Sequence, residues 1–195
     1  MAESTKGRIL KAAVYMFSVY NYYTTSMAMI AEKAGVSKGT LYWHFASKEE
    51  LFRELLVKAA DYFIKVFKTT AQKSDISAVE KLYELIKLIV EAPEKKYRIK
   101  SILSKNAQFI SQKSKEKLLE KREEIIEVLA GIVKQGIKEK AIQDGDPHQL
   151  AIAVLAVIFN PHGSWLIDEL RDKEEQANFI FGFIMNGIST KGELK

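Results

Sequence analysis

The chain is predicted to be all-α, and three observations carry that expectation. Apolar residues recur at helical spacing along nearly the whole length, with no strand-like alternation. Candidate N-cap residues stand just ahead of those segments, and helix-stopping residues just behind them. Only 10 Gly and 3 Pro occur in 195 residues, too little turn material for a loop-rich β fold.

The first helix is expected over Ser4–Tyr20. Ile9, Leu10, Ala13, Val14 and Phe17 form one face, Ser4 or Thr5 supplies the cap, and Asn21, which tolerates the left-handed conformation, supplies the stop. Thr25 and Ser26 offer cap oxygens to a short helix through Ile30, Ala31 and Ala34, which Gly35 ends. Ser37 caps a second short helix through Leu41 and Tyr42 to about His44. Ser47 caps a long helix from Lys48 to about Thr70, with Glu49 and Glu50 at the positive end of its dipole. Leu51, Leu55, Ala59, Tyr62, Phe63, Val66 and Phe67 are its inward stripe. Asp75–Glu91 repeats the pattern with Val79, Leu82, Ile86 and Ile89 until Pro93 interrupts it. Helices are expected next over Tyr97–Ser111 and over Lys115–Ala141, the second carrying Leu118, Leu119, Ile125, Ile126, Leu129, Ile132, Val133 and Ile137. Asp144-Gly145-Asp146-Pro147 reads as stop, turn, N-cap and first helical residue. The helix it opens runs to about Leu170 with a break near Pro161, and Asp172–Ile188 is the last.

Composition narrows the function classes. With 47% hydrophobic and 28% charged residues the chain is globular, not disordered. It has no cysteine, which excludes disulfides, thiolate metal sites and a Cys nucleophile. Three histidines, His44, His148 and His162, are too few and too scattered for a His-rich metal site, so no metal and no cofactor is expected. There is no Gly-rich phosphate loop and no nucleophile elbow, and the pairs Glu123-Glu124 and Glu174-Glu175 read as solvated helix surface. An enzyme is therefore not expected. The first residues, MAESTKGRIL, lack the apolar stretch of a signal peptide, and the longest apolar run, Leu150–Phe159, is half of what a membrane span needs. A cytoplasmic protein without membrane partners is the expectation. The net charge of +5 permits a polyanionic partner.

The most informative segment is Thr25–Leu51. Two helices of about two turns joined by Ala34-Gly35-Val36-Ser37 have the size and turn chemistry of a helix-turn-helix. Ala31 and Ala34 are small enough for a close crossing, while Val36 and Leu41 fill the space beneath the turn. On the second helix Lys38, Gly39 and Thr40 lie at the N-terminus, and Tyr42, Trp43 and His44 put polar tips on broad apolar bodies, a set suited to phosphates and base edges. Phe45 is expected in the core.

Residues 4–62 resemble the DNA-binding domain of the TetR family of bacterial and archaeal transcriptional regulators. Phe17 near the end of the first helix, then Ser26, Ile30, Ala31, Ala34, Gly35, Val36, Ser37, Gly39, Thr40, Leu41, Tyr42, His44, Phe45, Lys48, Glu49 and Leu51 all fall at the family's spacing. Two positions depart from it. Asn21 replaces the usual glycine, and Met27 replaces a polar phosphate contact that Ser26 or Thr25 would take over. The resemblance implies DNA contacts at Thr25, Ser26, Lys38, Gly39, Thr40, Tyr42, Trp43 and His44, with Lys48 as the phosphate-binding lysine; Lys6 and Arg8 are candidate additional contacts. It also implies residues 1–62 as DNA-binding domain and 63–195 as an effector-binding and dimerisation domain.

The second part of the chain agrees on physical grounds. Leu150–Phe159 is apolar almost all round, and the last helix carries Phe179, Ile180, Phe183 and Ile184 on one side with Phe181, Met185 and Ile188 on another. One intrachain core covers one face, so a homodimer through Val154, Phe179, Ile180, Phe183 and Ile184 is expected. Tyr62, Phe63, Phe67, Tyr83, Asn106, Phe109 and Trp165 are candidate effector-pocket residues, with Gln108 and Asn160 as further polar groups. Lys95, Lys96, Arg98, Lys100 and Lys105 are either a solvated face or a site for a phosphate-bearing effector such as an acyl-coenzyme A. The expectation is thus a ligand-responsive repressor, released from a palindromic double-stranded DNA operator by an apolar or amphipathic small molecule of unknown identity. A helix-turn-helix module without an effector is the alternative.

Overall fold

A computed structural model describes residues 3–90, 111–158 and 172–189 of the chain, and within them eight helices and one isolated bridge, Ile142 to Ser189. The helices are α1 (Thr5–Val19), α2 (Met27–Ala34), α3 (Lys38–His44), α4 (Lys48–Ala71), α5 (Ala78–Val90), α6 (Gln112–Lys138), α7 (Pro147–Ile158) and α8 (Lys173–Ile188). The all-α expectation holds. The expected helix over Tyr97–Ser111 and the break near Pro161 lie outside the described residues. The chain divides into two compact units, Met1–Asp61 with Pro93–Glu120 and Tyr62–Ala92 with Lys121–Lys195.

The first unit is built from α1–α3 and the start of α4. Ser4 caps α1 by accepting the Gly7 N–H at 3.1 Å. One α1 face, Ile9, Ala12, Ala13, Met16 and Phe17, is buried against Ile30, Ala31 and Ala34 of α2, Leu41 and Phe45 at α3, and Leu51, Phe52, Leu55 and Leu56 of α4. Phe17, Tyr22 and Phe52 form an aromatic trio with centroids 5.0–5.8 Å apart. α1 ends at Tyr20, whose extended backbone (φ −99°, ψ 169°) is the C-cap, and Asn21 shapes the turn that follows by a route other than the expected one. Its backbone stays out of the left-handed region; instead its Oδ1 accepts from the Thr24 backbone N–H (3.0 Å) and hydroxyl (3.3 Å). The side chain supplies the turn that glycine would supply through φ.

The second unit has its own core: Ile64 and Phe67 of α4, Leu82, Leu85, Ile86 and Ile89 of α5, Ile126, Leu129, Ile132 and Val133 of α6, Val154, Leu155 and Ile158 of α7, and Ile180, Ile184 and Ile188 of α8. Two helix starts differ from expectation. α5 begins at Ala78, not Asp75, because Ser77 and Glu80 form a reciprocal capping box: Ser77 Oγ accepts the Glu80 N–H while Glu80 Oε2 accepts the Ser77 N–H at 2.8 Å. Those Ser77 bonds hold the Glu80 carboxyl below its ordinary pKa, so the cap is intact at neutral pH and is lost as pH falls through that lowered value. α6 begins at Gln112, three residues early, and Leu119 is an exposed residue and not part of the inward stripe.

α6 also stops early, at Lys138. Lys140 takes the left-handed conformation (φ 57°), and both the Ala141 and Ile142 N–H groups return to the Gly136 carbonyl. This folds Ile142 back onto Gly136, where an added Cβ would stand 2.5 Å from Ile142 Cδ1 and 3.2 Å from Ala78 Cβ. Gly136→Val is expected to cost about 1–3 kcal/mol by overpacking, read from the shift of a urea unfolding midpoint.

Lys81 is a buried cation on the inward face of α5, in register with Ala78, Leu82 and Leu85. Its ammonium donates to the carbonyl of Ala71, the last residue of α4, at 2.9 Å and to Gln135 Oε1 at 2.8 Å. It thereby satisfies a carbonyl at the negative end of a helix.

Candidate nucleic-acid interface

Local chemistry sets the α2–turn–α3 geometry. Ser26 caps α2 by accepting the Met29 N–H at 3.2 Å. Gly35 ends it at φ 65°, ψ 41°, a conformation that costs any residue with a Cβ roughly 1–2 kcal/mol. Ser37 then caps α3, accepting the Thr40 N–H at 3.0 Å and meeting the Thr40 hydroxyl at 2.9 Å. Gly35→Ala is expected to destabilise the protein by about 1–2 kcal/mol for that backbone reason, seen as a lowered unfolding midpoint with unchanged helical circular dichroism.

α3 has two unlike sides. Leu41 and, just past the helix, Phe45 are wholly buried. Lys38, Gly39, Tyr42 and Trp43 lie on the other side, with Tyr42 53% and Trp43 81% exposed. Thr40 and His44 flank it half-buried, and the His44 ring packs edge-on against Trp43 at 4.6 Å. Tyr23, Ser26, Lys38, Tyr42 and Lys48 line an open cleft of about 400 Å³ beside the N-terminus of α2.

Two expected contacts are tied into the fold. Thr25 is 1% exposed, and its hydroxyl donates to the Asn21 carbonyl at 2.8 Å, so it is committed to the fold and not to a ligand. Of the Thr25/Ser26 pair, only Ser26 faces outward, while Met27 is core. Lys48 is a pin. Its Nζ donates to the carbonyls of Tyr22 (2.7 Å) and Thr25 (2.9 Å) and lies 4.4 Å above the Tyr22 ring. Burial pushes its pKa down, and only one of its three donors is left over. Lys6, a candidate phosphate contact, is paired with Glu54 at 2.7 Å, whereas Arg8 is exposed.

In the second unit the candidate pocket residues scatter. Phe67 is wholly buried in the core, Phe63 packs on that core from a half-buried position, and Tyr62 is exposed. Tyr83 donates its hydroxyl to Asn178 Oδ1 at 2.9 Å and packs edge-on against Phe181. Asn106, Gln108, Phe109, Asn160 and Trp165 and the cations from Lys95 to Lys105 lie outside the described residues. The dimer candidates split. Val154, Ile180 and Ile184 are buried inside the protomer, whereas Phe179 and Phe183, one turn apart on α8, are 58% and 63% exposed. Missed altogether in the sequence was the meeting of His148 with Glu123 and Glu127.

A short helix displaying Lys38, Tyr42 and Trp43, held across a glycine turn by a capped supporting helix, defines a helix-turn-helix DNA-binding protein. Residues 9–55 match the family model for bacterial regulatory proteins of the tetR family, and residues 75–176 match the tetracyclin repressor-like C-terminal domain. The chain belongs to the TetR family of transcriptional regulators. It is similar to the HTH-type transcriptional regulator YhgD of Bacillus subtilis, 27% identical over 196 residues that cover 97% of this chain and 99% of that protein. It is 30% identical over 137 residues to the transcriptional repressor KstR2 of Mycobacterium tuberculosis, covering 70% of this chain and 68% of that one. Its fold matches that of the Bacillus subtilis regulator FadR, solved in complex with stearoyl-CoA, with a TM-score of 0.79 at 22% identity over 93% of this chain and 98% of that one. The family and these relatives are transcriptional regulators, not enzymes. Among the described helices none is long and apolar enough to cross a membrane.

Proposed function

We propose that the protein is a homodimeric repressor that reads a palindromic DNA operator with α3 and leaves it when a small molecule binds residues 63–195. The observation that carries the DNA-reading role is the exposed row Lys38, Gly39, Tyr42 and Trp43 over the buried Leu41 and Phe45. A duplex groove accepts such a helix, with Gly39 allowing close approach, Lys38 reaching base edges and Ser26 a phosphate oxygen. Thr40 and His44 flank the reading face, and Lys48 contributes by holding the Tyr22–Thr25 segment ahead of α2. Phe179 and Phe183 supply the face for a second copy, which would bring two α3 helices to successive grooves.

The effector is proposed to be apolar or amphipathic, with acyl-coenzyme A among the classes to test first. The fold neighbour solved with stearoyl-CoA supports that choice. Tyr62, Phe63, Phe67 and Tyr83 remain the candidate contacts among the described residues. α4 runs from Lys48 to Ala71 and so carries both the residue that pins the DNA-reading segment and the aromatic residues Phe63 and Phe67. To act as a switch the ligand must bind the two conformers unequally.

Fluorescence anisotropy on an operator selected from random duplexes tests the reading. Affinity should fall steeply with salt, because neutralised phosphates release counterions. Lys38→Ala and Thr40→Ala should weaken operator binding and shift base preference, whereas Lys48→Met should weaken binding to all duplexes alike. Equal losses on operator and random DNA for all three variants would overturn the assignment of α3 as the reading helix.

A further inference from the structure

We infer that His148, Glu123 and Glu127 form a binding site for a divalent transition-metal ion of the zinc class. His148 Nε2 lies 2.8 Å from Glu123 Oε1 and 3.8 Å from Glu127 Oε1, and the three donor atoms all fall within 4.8 Å of one another. Ligands sharing a tetrahedral zinc at about 2.0–2.2 Å stand roughly 3.3–3.5 Å apart. The cluster therefore needs side-chain rotation of about an ångström and no movement of backbone.

The donors come from two elements of the second unit. Glu123 and Glu127 are one turn apart on the same face of α6, and His148 is the second residue of α7. The backbone under His148 is held in place. Asp146 Oδ1 caps α7 by accepting the His148 N–H at 2.8 Å, and Pro147 presets the first helical residue.

Charge separates this cluster from ordinary helix surface. The neighbouring acidic residues of α6 have cationic partners: Glu120 pairs with Lys117, and Glu124 with Lys68 and Lys121. Glu123 and Glu127 have no Lys or Arg three or four positions away on either side, only each other, apolar residues, glycine or further glutamates. Among the described residues His148 is the partner both share. Two carboxylates with a neutral imidazole carry a charge of −2, which one dication neutralises. The nitrogen donor selects a zinc-type ion over calcium or magnesium, which prefer all-oxygen sets. Three protein ligands leave a position open for water. Bound there, the ion would tie the first turn of α7 to the middle of α6.

Metal-stripped, untagged protein titrated with zinc chloride in a calorimeter, and with cobalt(II) followed by visible absorption, tests the site. One ion per chain is expected, with d–d absorption bands for cobalt and a raised Tm in zinc. His148→Ala and Glu127→Gln should each weaken binding at least about tenfold and remove the zinc-dependent rise in Tm, while His44→Ala should change neither. Because Glu123 and Glu127 are exposed and His148 is half-buried at the surface, the variants should melt like wild type in chelator. No zinc or cobalt binding by the wild type, or binding that His148→Ala leaves unchanged, would overturn the inference.

Discussion

Val154→Asp is expected to unfold the second unit, whereas Phe183→Glu is expected to leave it folded and dissociate the proposed dimer. Val154 is 2% exposed within one protomer, packed in a core with Ala151, Leu155, Ile180 and Ile184. A carboxylate there sits among apolar side chains and should cost about 3–5 kcal/mol, a large part of the stability of a domain this size. Phe183 is 63% exposed on α8 beside Phe179, so the same charge stays in water in the monomer and is desolvated only against a second copy. Sedimentation and thermal melting should therefore separate the two variants: lost cooperative melting for Val154→Asp, wild-type melting with monomer mass for Phe183→Glu. The Phe183 variant should also bind an operator more weakly, since half-sites are then filled independently. A Phe183→Glu protein that sediments like wild type would remove the α8 face from the dimer.

Phe45→Ala carries the second large effect. The ring is wholly buried immediately after α3, in the same core as Leu41, Phe17 and Phe52, and Lys6 lies 5.4 Å above it. Removing it should cost about 3–5 kcal/mol from lost transfer energy and an unfilled cavity. It also removes the floor beneath the reading helix, so DNA affinity should fall although Phe45 faces away from the exposed row. Trp43→Ala is the contrast. It deletes a larger ring at 81% exposure, so melting should change within about 0.5 kcal/mol while DNA affinity drops. A Phe45→Ala protein as stable as wild type would contradict the packing described.

Much of the helix-turn-helix was legible because its determinants are local. Ser4, Ser26, Ser37 and Ser47 cap the first four helices at the positions read from sequence, and Gly35 takes the positive φ its turn requires. Each is a contact within three or four residues, which spacing alone encodes. Asn21 shows the limit of such reading: the helix stops one residue earlier, at the extended Tyr20, and the Asn21 side chain, not its backbone, shapes the turn that follows. The start of α5 slipped because Ser77 and Glu80 make a better cap than Asp75, a competition that hydrophobic periodicity does not see.

The sequence by itself determined the class of protein: all-α, with a helix-turn-helix motif of known spacing and an apolar surplus in its last helices. It did so because caps, turns and amphipathic period are short-range properties of the chain. Tertiary structure alone decided which residues of that surplus remain outside, burying Val154, Ile180 and Ile184 and leaving Phe179 and Phe183. It alone turned Lys48 onto carbonyls 23 and 26 residues away and hid the Thr25 hydroxyl. It alone brought His148 to Glu123 across 25 residues. A helical period shows that a face exists, but the partner of that face, and the side chain's final hydrogen bonds, depend on which segments the whole chain packs together.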